Sequence, residues 1–132
     1  MISLQKDQTG IYRQRISVNS HEFFADVGTD VGGENSAPDP HDLLDSSLAA
    51  CTAITLTMFA KRRGIPLESI NIDVARDSSK EKSGEYNLAL NIHFVGSLSD
   101  EQKQQLLGII EKCPIHKLLS HATINITTQH QS

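Results

Sequence analysis

The stretch that decides the fold is PHDLLDSSLAACTAITLTMFAKRR, residues 40–63. Asp39 in front of it is an N-cap residue, and Pro40 suits the first helical position, where a missing N–H is no loss. Asp42 and Asp45 lie near the positive end of the helix dipole, and Lys61, Arg62 and Arg63 lie at the negative end. Gly64 stops the helix and Pro66 keeps it stopped. Helical spacing puts Leu44, Leu48, Cys51, Thr55 and Met58 on one stripe, which Leu43, Ala50, Ala53 and Ile54 widen. A helix of about 24 residues is a rod of roughly 36 Å. Its many small side chains, Ser46, Ser47, Ala49, Ala50 and Ala53, predict close packing against another element.

On the N-terminal side, Ile11 to Val27 alternates like a hairpin. Tyr12, Ile16 and Val18 share one face, Ile11, Arg13, Arg15 and Ser17 the other, and Asn19-Ser20 supplies the turn. Residues 28–40 hold three of the eight glycines and two of the four prolines and read as a loop. On the C-terminal side, Ile70, Ile72 and Val74 mark one strand. Tyr86, Leu88, Leu90, Ile92 and Phe94 mark another, with the polar run Ser78 to Gly84 between them. Ser99-Asp100-Glu101-Gln102 has the form of a capping box and starts a helix expected to reach about Lys112. Cys113-Pro114 opens a last helical turn or two, and Thr123 to Thr128 reads as a final β-branched strand. The order is β-hairpin, long helix, β-hairpin, helix, strand: an α+β class, not alternating βαβ.

Composition narrows the function. A chain of 132 residues is read as a single domain, 1–132. Its apolar share of 38% gives a thin monomer core, which burial between subunits would supplement. With net charge −4 and no basic run longer than Lys61-Arg62-Arg63, nucleic acid is excluded as a partner. The absence of Trp argues against a stacking platform for a cofactor or base. Met1 to Gly10 lacks a signal-peptide core, and no stretch is read as approaching the roughly 20 apolar residues that span a bilayer. The expectation is a cytoplasmic protein without membrane insertion, in which a structural disulfide is out of place. The six His never fall at a metal-ligand spacing beside an acid, so no metal is expected.

That leaves two cysteines. Cys51 lies mid-helix on the apolar stripe, where a free Cys often only fills space. The dipole of its own helix has faded there, so a reactive thiolate would need a cation from elsewhere in the fold. Cys113 precedes a Pro at a helix start, where unpaired backbone N–H groups favour a thiolate. A central-helix thiol and a helix-start thiol suit an attacking and a resolving cysteine. His116, three residues after Cys113, lies on the same face of the last helix, where a cationic imidazole would lower the thiol pKa.

Two motifs carry a resemblance to a known family. Residues 37–56, APDPHDLLDSSLAACTAITL, resemble the signature of the OsmC/Ohr family, a Pro-x-acid-Leu-Leu helix start leading through small residues to a cysteine. Residues 112–119, KCPIHKLL, are similar to that family's Cys-Pro-[Val/Ile] motif, and the element order agrees over roughly residues 10 to 128. The resemblance implies the OsmC-like fold and an intertwined homodimer with its long helices back to back. In peroxidase members the cysteine matching Cys51 attacks an organic hydroperoxide, and the one matching Cys113 resolves the sulfenic acid to a disulfide. A dithiol reductant then restores both, with no metal or organic cofactor. An Arg from the N-terminal hairpin and a Glu near the helix start hold the thiolate in those members.

This chain departs from the peroxidase pattern at the Glu. His41 stands in its place and Asp42 follows one residue later, rotated by about 100° around the helix. This matches the OsmC-like branch with Pro-x-acid-Leu. His41, Asp42 or Glu34 would have to hold the Arg, for which Arg15 and Arg13 are both candidates, Arg15 slightly preferred. The leading function is a cysteine-dependent peroxidase of organic or lipid hydroperoxides. The alternative is a non-catalytic dimer of this fold binding an apolar small molecule at its interface, with Cys51 redox-silent.

Overall fold

The computed structural model describes residues 1–131. They form two compact units, Met1–Ser46 and the part from Ser47 onward, with one long helix running through the boundary.

The first unit is built on three antiparallel strands, β1 (Ile2–Lys6), β2 (Gln14–Val18) and β3 (His21–Ala25), in the order β1-β2-β3. The hairpin expected around Asn19-Ser20 is β2–β3, with Ile16 opposite Phe23. Asn19 has φ 53°, a conformation that Asn tolerates better than most side chains. The alternation expected from Ile11 begins later, at Gln14. No residue pattern announces β1, whose side chains are all exposed; it pairs through its backbone, Leu4 opposite Ile16.

The loop after β3 is organised around Asp26, which is 3% exposed. Its carboxylate accepts the Val27 N–H at 2.8 Å, the Ser36 N–H at 3.0 Å and the Ser36 hydroxyl at 2.6 Å. The Ser36 hydroxyl first, and then these backbone donors, hold the Asp26 carboxyl down at about 2, against a smaller opposing push from burial.

Helix α1 spans Pro40–Arg63, the limits that its capping residues predict. Asp39 Oδ1 accepts the Asp42 N–H at 2.8 Å and Asp42 Oδ2 accepts the Asp39 N–H at 3.0 Å, a reciprocal cap. The buried face differs in phase from the expected stripe. Leu48, Thr52, Leu56 and Ala60 are buried and Cys51 and Thr55 are half-buried, while Leu44 and Met58 are exposed. The apolar residues surround so much of the helix that periodicity could not choose the face; packing chose it. Thr52 becomes acceptable inside by donating its hydroxyl to the Leu48 carbonyl at 2.8 Å. By length and composition α1 is also apolar enough to cross a membrane, contrary to the reading that no stretch approaches that limit. Between Ser46 and Ala60 its polar residues are Ser and Thr, which interrupt an apolar run without adding charge.

In the second unit, β4 (Leu67–Asp77) and β5 (Asn87–Gly96) pair antiparallel, Ile70 opposite Phe94, Ile72 opposite Ile92 and Val74 opposite Leu90. These residues form one half-buried face with Asn71, Asp73, Asn91 and His93 on the other, as the alternation predicts. Helix α2 (Asp100–Leu107) starts at Ser99 with a complete capping box. It stops at Leu107 instead of Lys112, because Gly108 ends it and the chain re-forms only as a 3-10 turn, Ile110–Lys112. The core joins Leu56, Ala60, Ile65 and Leu106, with Phe59, Ile70 and Phe94 against it. Leu56 and Leu106 are fully buried, a gain of about 1.5–3 kcal/mol each.

Helix α3 spans Pro114–His121. The final strand expected at Thr123 to Thr128 does not form: the segment is exposed and belongs to no ladder, with Ile124 at 61% and Ile126 at 83%. β-Branched residues favour an extended chain, but a strand needs a partner edge, which local sequence cannot supply.

Candidate functional site

Cys51 and Cys113 meet. Helix α1 carries Cys51 half-buried on the flank of its packed face, and Cys113 is fully buried at the N-cap of α3. Both are free thiols. The Cys113 side chain makes no capping bond to its own helix. The Cys113 side chain and the Ile115 N–H lie near enough to the Cys51 sulfur to stabilise its thiolate. It also lies 4.0 Å from the Thr55 hydroxyl one turn along α1. Ile115 is the second residue of α3, and its N–H is one of the donors that a helix start leaves unpaired. The start of α3 therefore faces the Cys51 sulfur.

This geometry sets the electrostatics. Burial pushes the Cys51 thiol up. The Cys113 side chain, the Ile115 N–H and the Thr55 hydroxyl together outweigh it and hold the thiol below its ordinary value. The dipole of α1 gives Cys51 nothing, as its mid-helix position predicts, but the start of α3 does. No cation is among the groups that lower this thiol's pKa. What sequence reasoning missed is the role of the Ile115 N–H and of Thr55. The signal for the first was present in Cys113-Pro114, which fixes Ile115 as an unpaired donor, but nothing local tells where that donor points.

His116 is half-buried in the first turn of α3, and its Nδ1 is buried with no hydrogen-bond partner among the described residues. Its carbonyl accepts the Ser120 hydroxyl at 2.5 Å.

The other candidates lie in the first unit. Arg13 is clamped: its Nε donates to Asp7 at 2.9 Å and one terminal nitrogen donates to the Ser36 carbonyl at 3.1 Å and hydroxyl at 3.2 Å. Its guanidinium stacks 3.9 Å from the Phe24 ring centroid. The Thr9 hydroxyl and then Arg13 keep the Asp7 carboxyl below the usual carboxylate range, against a push from burial. Arg15, the slightly preferred arginine, donates to the Gln5 side chain at 2.7 Å. Glu34 accepts the Ile11 N–H at 3.0 Å. His41 is exposed in the first turn of α1, and Asp42 beside it serves the helix cap. Among the described residues no group of three or more His, Cys, Asp or Glu could hold a metal ion.

A shallow pocket of about 450 Å³ lies farther along α1, lined by Thr55, Phe59, Arg62, Arg63, Ile109 and Lys112.

Residues 33–129 match the family model described as OsmC-like protein. No curated protein sequence matches the chain. Among solved structures, the chain is similar to the OsmC-like protein of Mycoplasma pneumoniae, with TM-score 0.73 and 18% identity over 92% of this chain and 86% of that one. It is similar to the organic hydroperoxide resistance protein OsmC of Legionella pneumophila, with TM-score 0.63 and 21% identity over 92% and 90%. It is also similar to the organic hydroperoxide resistance protein OhrB of Bacillus subtilis, with TM-score 0.60 and 19% identity over 92% and 90%. At these identities the likeness establishes the fold.

Proposed function

The chain belongs to the OsmC-like protein family, and on that premise we propose that it reduces organic hydroperoxides through Cys51 and Cys113. The observation that carries this reading is the meeting of the two thiols at the start of α3, with Cys51 the accessible and acidified partner. In the reaction the Cys51 thiolate attacks the terminal peroxide oxygen. The O–O bond breaks, an alkoxide leaves and takes up a proton as the alcohol, and Cys51 becomes a sulfenic acid. The Cys113 thiol then attacks that sulfur, water leaves, and a disulfide forms. A dithiol reductant opens the disulfide by exchange, is itself oxidised to a disulfide, and returns two thiols. Such a cycle suits the reducing cytoplasm, which keeps dithiols available.

The same reading includes a homodimer through α1. Ile54 and Met58 are 59% and 54% exposed on that helix, and Ser46 and Ala50 beside them are small enough for close backbone approach. A particle of monomer mass in light scattering at micromolar concentration would remove that part of it. The commitment of Asp42 to the helix cap favours a second reading, in which the protein binds an apolar molecule without turnover.

Cumene hydroperoxide separates the two readings. One equivalent should consume two thiols in the wild type. Cys113→Ser should stop at a dimedone-trappable sulfenic acid, and Cys51→Ser should be inert. Thiols that survive the oxidant unchanged would leave the binding reading.

A further inference from the structure

The pocket farther along α1 has a feature that the thiol chemistry does not use. Arg62 and Arg63 from the end of α1 converge there with Lys112 from the 3-10 turn before α3, and no carboxylate is among the described residues that line it. None of the three forms an ion pair with an acid among the described residues. Compensation of the helix dipole accounts for arginines at the end of α1. It does not account for Lys112, which comes from a different element. Both arginines are held at the pocket by further contacts. Arg62 Nε donates back to the Met58 carbonyl at 3.4 Å, and the Arg63 guanidinium lies 5.2 Å from the Phe59 ring centroid. Three like charges in one concavity repel, and an anion between them would relieve that repulsion.

The rest of the lining gives the ligand's other end. Phe59 and Ile109 make part of the wall apolar, and Thr55 reaches both the pocket and the Cys51 sulfur. Along α1, Arg62 is about 16 Å beyond Cys51 at the helical rise per residue. Folding back to Met58 brings the guanidinium roughly one turn nearer. A molecule that bridges the two ends has a single anionic head and an apolar chain.

We propose that Arg62, Arg63 and Lys112 form an anion subsite for the carboxylate or phosphate head of an amphiphile, whose chain runs along Phe59 and Thr55 toward Cys51. What the far end of the chain does at the sulfur rests on the peroxidase reading; the binding does not.

The test measures protection of Cys51 in the reduced full-length protein from alkylation by iodoacetamide, followed by peptide mass. Three protectants are titrated below their micelle concentrations: laurate, dodecyl phosphate and uncharged dodecanamide. At least one anionic protectant should act at about tenfold lower concentration than dodecanamide, and added salt should shrink the difference. Arg62→Gln, Arg63→Gln and Lys112→Gln should each weaken anionic protection by about 1.5- to 5-fold. The triple variant should abolish the preference and leave dodecanamide unchanged. Preference for laurate assigns a carboxylate and preference for dodecyl phosphate assigns a phosphate ester; either supports the subsite. Equal protection by all three, or a preference that persists in the triple variant with an unchanged melting temperature, overturns it. Selective protection without hydroperoxide turnover would remove the peroxidase reading and keep the subsite. Turnover without anionic preference would do the reverse.

Discussion

Replacing Ile115 by proline removes one hydrogen atom from the environment of Cys51, the N–H at the start of α3 that helps hold the thiol below its ordinary value. Proline is tolerated in the first turn of a helix, because those N–H groups have no partner within the helix. A hydrogen bond to a charged group contributes about 1.5–3 kcal/mol, and about 1.4 kcal/mol is tenfold in an equilibrium. Removing this one would lower the thiolate population at neutral pH by about tenfold to a hundredfold. Cys51 is half-buried, so solvent compensates part of the loss and the lower end, about tenfold, is expected. The sign follows from the acid form. The N–H stabilises only the thiolate, so its loss raises the thiol pKa and moves the alkylation profile to higher pH. The assay is the iodoacetamide rate at Cys51 against pH, read by peptide mass, with far-UV circular dichroism to confirm that α3 survives two consecutive prolines. Ile115→Val keeps the N–H and should leave the midpoint in place. Thr55→Val removes a contact at 4.0 Å, the outer limit for sulfur, and should shift the profile less. A midpoint in Ile115→Pro that coincides with the wild type would refute the claim that α3 activates this thiol.

Two further predictions concern stability. The Asp26 carboxyl is depressed to about 2 in the folded chain, so its contribution is fully present above about pH 4 and is lost as pH falls toward 2. Acid unfolding followed by circular dichroism should therefore show less pH dependence in that window for Asp26→Asn than for the wild type; superimposable curves would rule the anchor out. Leu56→Ala should cost about 2–5 kcal/mol, since Leu56 is fully buried in the core with Ala60, Ile65 and Leu106. Urea denaturation measures it, and a loss under 1 kcal/mol would mean that the surrounding core collapses into the gap with little penalty.

Several features of this chain are local, and the sequence by itself determined them. The limits of α1 follow from the Asp39 cap, Pro40, Gly64 and Pro66, all within three residues of the ends they control. The start of α2 follows from Ser99 and Gln102, and the β4–β5 face follows from alternation whose period matches the pleat. Cys51 and Cys113 were legible as the candidate pair because they are the two cysteines of the chain and each falls in a motif that resembles the family's. Features that depend on a partner distant in sequence were decided only by the tertiary structure. Which face of α1 is buried depended on packing, because apolar side chains nearly encircle the helix and several phases were open. The exposed β1 has no apolar pattern to announce it, and Thr123 to Thr128 has the pattern but no edge to join. Cys113 is 62 residues beyond Cys51 by number, and no local rule fixes the direction of an N–H at that separation. Capping and periodicity act over one or two turns, whereas the acidity of Cys51 comes from the start of another helix, which only the folded chain brings to it.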